Sequence, residues 1–229
     1  MTRTLTFAAC LVVAILFTPF ARAEFEEPFD LDTAKGRNVS LQLTWDDLQS
    51  QVQTDLDIVA GCRAEPLRCS LPAAFRFLSI IDEGIDYDGV VRIGHINRAV
   101  NLAIRGMNGG IPAAWTSPLT ALARGVGDCK QFAVLKYAAL TFVGYAPDAL
   151  RILIVEDKYL HRQHAVVAVL EQGQWLLLDN RSSILLSGSG ALSRYVPIET
   201  LDNRGVRAFV HPRFAQKDAL LRTRTLGSQ

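Results

Sequence analysis

The chain has 229 residues, with 24 Lys+Arg against 23 Asp+Glu, a formal net charge of +1 and 49% apolar residues. A near-neutral chain with no basic stripe of interleaved aromatics argues against a nucleic-acid partner. The apolar content is that of an ordinary globular protein, long enough for one domain with a sizeable core or one domain with a small helical subdomain.

Taken in chain order, Met1–Ala23 combines Arg3, an apolar run from Leu5 to Phe17 and a closing Ala21-Arg22-Ala23. That is the layout of a secretory signal peptide with an A-x-A cleavage site, and the run is short for a membrane span; an uncleaved N-terminal anchor is the alternative. The expected organisation is a signal peptide over 1–23, one domain over 24–212 and a disordered tail over 213–229, where Arg213, Lys217, Arg222 and Arg224 outnumber the acids.

Trp45, Leu48, Val52, Leu56 and Val59 recur at helical spacing from Thr44 to Ala60, with Thr44 as expected N-cap. Cys62 and Cys69 follow in a charged, proline-containing loop. In an exported chain such a pair most simply forms a local disulfide; zinc would need a second ligand pair, and none stands at suitable spacing. Further helices are predicted from Pro72 to Glu83, with Phe75, Leu78 and Ile81 inward, and from about Asp88 to Met107, ending at Asn108-Gly109-Gly110. Ile111–Trp115 reads as extended, and Ser117-Pro118 starts a short helix to about Ala123. The next helix spans 129–143, with Phe132, Leu135, Ala139 and Phe142 inward and Lys130 and Lys136 toward solvent. Strands follow over Arg151–Val155, Ala165–Leu170, Trp175–Leu178 and Val206–Val210, and Glu171-Gln172-Gly173-Gln174 makes the second and third a hairpin.

With Cys10 inside the expected signal peptide, Cys129 is the cysteine left over, opening a helix after Gly127-Asp128. Unpaired first-turn amides and the positive end of the helix dipole both favour thiolate there, although a free cysteine can equally be a small buried hydrophobe. His164 precedes one hairpin strand and Asp179 ends the next. With the turn at Gln172-Gly173, residue i pairs with 345 minus i, so His164 lies beside position 181, within two residues of Asp179. Nucleophile, base and orienter are the three parts of a cysteine hydrolase. His161 is the rival base, but residues three apart on a strand face opposite sides. Asp179 could also serve as a turn former, and Asp128 as helix N-cap. Trp115 either packs, walls the cleft or lends its indole N–H to the oxyanion; the backbone N–H of Cys129 is the expected oxyanion donor.

Trp115-x-x-Pro118, Gly125-x-Gly127-Asp128-Cys129, His164-Ala165-Val166 and Leu178-Asp179-Asn180 together resemble the bacterial transglutaminase-like cysteine peptidases, the group that includes the periplasmic LapG-type proteases. The resemblance implies a papain-like, transglutaminase-like α+β fold, a helical N-terminal part packed on an antiparallel sheet, with Cys129 as nucleophile, His164 as base and Asp179 as orienter. It implies hydrolysis of a peptide bond in a protein or peptide substrate, a periplasmic address and, for LapG-type members, trimming of a surface adhesin under control of a membrane-bound receptor. Those members bind calcium through acids after the nucleophile, where this chain has Lys130 and Gln131. Replacing two carboxylates with an ammonium and an amide removes the charge calcium needs, so neither a calcium site nor any cofactor is expected. Acyl transfer to an amine, as in transglutaminases, and a catalytically idle binding domain are the alternatives.

Overall fold

The computed structural model describes residues 27–107 and 114–210. The expected signal peptide, the expected tail, Asn108-Gly109-Gly110 and residues 111–113 lie outside the described residues.

A short strand, β1 (Thr33–Lys35), precedes helix α1 (Val39–Ala64). This helix begins five residues before the expected Thr44, because the Asn38 side chain accepts the Leu41 N–H at 3.1 Å and supplies the cap, whereas Thr44 Oγ1 bonds back to the Ser40 carbonyl. The inward stripe is the predicted one: Trp45, Leu48, Val52, Leu56 and Val59 are buried. Pro72 starts α2 (Pro72–Asp82) as expected, but the buried face is Ala73, Ala74, Phe77, Ile80 and Ile81, and Phe75 is exposed. Helix α3 (Gly89–Ala103) stops short of the expected Met107, since Arg105–Gly106 (β2) leaves the helix to form a parallel bridge with Val126–Gly127 (β3). Between these lies α4 (Pro118–Arg124), with Ser117 at the N-cap and Gly125 at φ 67° closing it. Its Leu119 N–H donates to Asp55 Oδ2 at 2.7 Å, so a carboxylate on α1 supplies the cap interaction that Ser117 does not.

Helix α5 (Cys129–Phe142) is almost wholly buried and packs on the centre of the sheet. Strands β4 (Leu150–Asp157), β5 (Arg162–Glu171) and β6 (Gln174–Leu178) follow, then β7 (Leu186–Ser187), α6 (Gly188–Arg194), β8 (Tyr195–Asp202) and β9 (Gly205–Phe209). The antiparallel sheet runs in the order β1-β9-β8-β4-β5-β6-β7. Glu171 pairs with Gln174 and Val167 with Leu178, which is the predicted register. β1, β7, α6 and β8 were not expected from the sequence.

Strand alternation sends Ile152, Val167, Val169, Leu176 and Leu178 toward the helices, in one core with Val134, Leu135 and Leu140 of α5. The other face buries Leu153, Val155, Val166, Ala168 and Leu177 against Phe29, Ala191 and Phe209. The result is the expected α+β arrangement, a helical N-terminal part on an antiparallel sheet. Among the described residues no helix is long and apolar enough to cross a membrane. At one end of the inner strands β4 and β8, Arg151 Nε meets Asp202 Oδ2 at 3.0 Å and Glu27 Oε2 at 3.1 Å, an ion cluster that Arg204 completes. The Cys62–Cys69 disulfide is formed, as expected, with 4.9 Å between the Cα atoms.

Candidate active site

Cys129 owes its place to what precedes it. Gly127 sits where a Cβ would lie 2.6 Å from Gln131 Cβ and 3.1 Å from Ile104 Cδ1, so only glycine lets the bridge strand run into the helix this tightly. Asp128 is the N-cap, as the sequence suggested: Oδ1 accepts the Lys130 N–H at 2.9 Å, and Gln131 Oε1 accepts the Asp128 N–H at 2.9 Å, a capping box. Gln131 Nε2 also donates to the Ala114 carbonyl at 2.6 Å. The half-buried Trp115 and its neighbours are thereby tied to the first turn of α5, with Trp115 packed against the helix-side core as Cys129 is.

The structure brings Cys129, His164 and Asp179 together. His164, near the start of β5, is buried, and its Nε2 lies 2.8 Å from Asp179 Oδ1. That leaves Nδ1, which has no hydrogen-bond partner among the described residues, as the ring nitrogen available to the Cys129 thiol, whose ionisation is coupled to this imidazole. Asp179 is also buried, and its Oδ1 accepts the Arg181 N–H at 3.0 Å. Its main-chain carbonyl takes a hydrogen bond from Asn101 of α3, so the loop after β6 is held from the helical layer. His161 is exposed, in the β4–β5 turn with φ 47°, and takes no part.

The electrostatics follow from these contacts. Burial pushes the Cys129 thiol up, but the hydrogen bond and charge of His164 and the Ala165 N–H outweigh it, so the thiol is lowered, with the Asp128 charge opposing. Burial pushes His164 down, yet the hydrogen bonds to Asp179 and Cys129 and their charges raise it overall. Burial also opposes ionisation of Asp179; the bonds from His164, Tyr195 and Arg181 hold it well below the usual carboxylate range. A lowered thiol beside a raised imidazole is the condition for a thiolate–imidazolium pair.

Three features were not legible beforehand. Lys136, expected in solvent, is 1% exposed, because α5 is covered on all sides by α3, α4 and the sheet. Among the described residues its Nζ has no hydrogen-bond partner, and desolvation brings the amine down to about 7 although the Asp179 charge opposes the shift. Lys130 is not free either: Nζ lies 2.7 Å from Asp128 Oδ2, and both side chains are mostly covered. Tyr195, on an unpredicted strand, donates its phenol to Asp179 Oδ2 at 2.5 Å.

The profile of the bacterial transglutaminase-like cysteine proteinases (BTLCP) matches residues 59–210. The chain belongs to this family. Among solved structures, calcium-bound LapG of Legionella pneumophila is 23% identical, with a TM-score of 0.56 over 66% of this chain and 87% of that one. A second structure of Legionella pneumophila LapG is 22% identical, with a TM-score of 0.54 over 75% and 96% of the two chains. At these identities the likeness is one of fold. A comparison with curated proteins returns no match.

Calcium bound to a fold neighbour raises the question of a site here. Calcium takes six to eight oxygens with net negative charge. The Asp128 carboxylate instead caps α5 and pairs with the Lys130 ammonium, and the Gln131 amide is committed at both ends to Asp128 and Ala114. Among the described residues no group of three or more His, Cys, Asp or Glu could hold a metal ion. The residues at this position do not fit calcium, and no chemical step below is drawn through it.

Proposed function

We propose that the protein is an exported cysteine peptidase that hydrolyses a peptide bond of a protein substrate through Cys129, His164 and Asp179. The observation that carries this reading is the bond of His164 Nε2 to Asp179, which leaves Nδ1 for a thiol at a helix N-terminus. With the carboxylate ionised, Nε2 holds its hydrogen and Nδ1 presents a lone pair to the thiol. His164 Nδ1 takes the proton of Cys129, and the Sγ thiolate attacks the scissile carbonyl to give a tetrahedral oxyanion. The Cys129 backbone N–H, a first-turn amide that the intrahelical ladder of α5 does not use, is the donor for that oxyanion. Imidazolium then protonates the leaving amine, a thioester remains, and water deprotonated by His164 releases the acid. Asp179 fixes the imidazole tautomer and stabilises its charge throughout.

Export is supported by the leader-like Met1–Ala23 and by a disulfide between the two other cysteines of the domain, which suits the periplasm of a bacterium. Cys129→Ala is expected to abolish hydrolysis of casein or a peptide library while leaving the circular dichroism unchanged. Hydrolysis that survives the substitution in a purified sample would overturn the assignment. Adding a primary amine during turnover separates hydrolysis from acyl transfer, since an amide product appears only if the amine outcompetes water at the thioester.

A further inference from the structure

We propose that Tyr195 is a positioning residue of the site: its phenol, donating to Asp179 Oδ2, fixes the rotation of the carboxylate and sets how much of its charge the His164 imidazole feels. The inference rests on the triad reading above and extends it by one residue.

A carboxylate offers about four lone-pair directions, and its grip on a partner depends on which are taken. Asp179 Oδ1 accepts from His164 Nε2 and from the Arg181 N–H. On Oδ2 the hydrogen-bonding partner is Tyr195, and the nearest cation there, Arg194 Nη2, stands off at 3.9 Å. Tyr195 is fully buried, its ring lies 6.1 Å from that of His164, and its backbone pairs with Asp157 across β4 and β8. The phenol is therefore placed by the sheet and not by a mobile loop.

Asp157 links the same elements a second time. Its Oδ1 accepts the N–H groups of Tyr159 and Leu160 in the turn that leads to His164, and its Oδ2 accepts from Arg181 Nη1 at 2.6 Å. Arg181 thus grips Asp157 with its side chain and Asp179 with its main chain, so the turn carrying the base and the loop carrying the acid share one anchor. A neutral donor is the suitable group on Oδ2. An ammonium or guanidinium at hydrogen-bonding distance would cancel the charge that imidazolium needs, whereas a phenol withdraws only part of it. The charged groups that face the pair are Cys129 and Lys136 of α5, Arg181, Arg194 and Asp157.

The test is an NMR titration of the His164 ring in the full chain carrying Cys129→Ala, with Tyr, Phe or 3-fluorotyrosine at position 195. Phe removes the donor and leaves the carboxylate charge to the imidazole, so the imidazolium pKa rises, by up to about one unit. 3-Fluorotyrosine keeps the shape but is a stronger donor, so the pKa moves the opposite way. In the enzyme with Cys129 intact, Tyr195→Phe should lower kcat about tenfold with KM little changed, the effect of one hydrogen bond to a charged group. Identical His164 titrations with tyrosine and 3-fluorotyrosine would overturn the proposal, whether or not the Phe variant folds. The titration needs no substrate, so failure to find peptidase activity in the wild type would count against the hydrolase reading alone.

Discussion

Lys136 turns a surprise of the structure into a quantitative expectation. Its amine is buried, with no hydrogen-bond partner among the described residues, and is pushed from 10.5 down to about 7 by desolvation, the Asp179 charge notwithstanding. Because the folded-state value lies below the unfolded one, the unfolded chain binds the extra proton between about pH 7 and 10.5, and stability rises with pH across that window. Below pH 7 both states are protonated and the cost of the buried ammonium is carried in full; above 10.5 it has vanished. The slope is about 1.4 kcal/mol per pH unit, which makes the full cost about 5 kcal/mol. Lys136→Met keeps an unbranched side chain one atom shorter and removes the charge. Urea unfolding followed by tryptophan fluorescence at pH 6.5 and 9.5 should show the variant several kcal/mol more stable than the wild type at the lower pH and much closer to it at the higher. Comparing the two differences cancels the other titrating groups. An advantage independent of pH, or a variant less stable than the wild type at pH 6.5, would refute the reasoning.

Gly127→Ala places a Cβ 2.6 Å from that of Gln131, so the capping box must open; a loss of about 1–3 kcal/mol in chemical denaturation and slower alkylation of Cys129 are expected. Arg151→Met strands the buried carboxylate of Asp202 with Arg204 as its remaining cation, and should lower stability by about 3 kcal/mol in the same assay. Because Lys130 and Gln131, an ammonium and an amide, stand beside Asp128 where calcium would need carboxylates, the thermal midpoint should be the same in millimolar calcium and in EGTA; a clear rise with calcium would contradict the structural fit.

The parts of the fold that could be read from sequence were those where one local signal decides. The β5–β6 hairpin was fixed by a turn at Gln172-Gly173, where both residues take positive φ, and by apolar strands that leave a single register burying both faces. That register alone brought His164 near Asp179, and the helix-opening Gly-Asp-Cys supplied the third member. Where the deciding contact is distant in sequence, reading failed. Asp55 caps α4 from another helix, and nothing near α4 announces it. β8 was missed because Pro197, Glu199 and Thr200 interrupt the apolar alternation, and Tyr195 and its bond to Asp179 were missed with it. Lys136 reads as a solvent residue on an amphipathic helix; it is buried because α5 is a central helix, covered on every side by elements whose packing local periodicity does not encode.

The central claim is that Cys129 is an imidazole-activated nucleophile, and it is tested most directly by the rate of iodoacetamide labelling of Cys129 between pH 4 and 9, with His164→Ala as control. With Cys62 and Cys69 joined in the disulfide, the domain presents one free thiol. The expected result is an apparent pKa well below the ~8.5 of an ordinary cysteine, returning toward that value when the imidazole is removed. Ordinary reactivity in a folded sample, the same in both proteins, would contradict it.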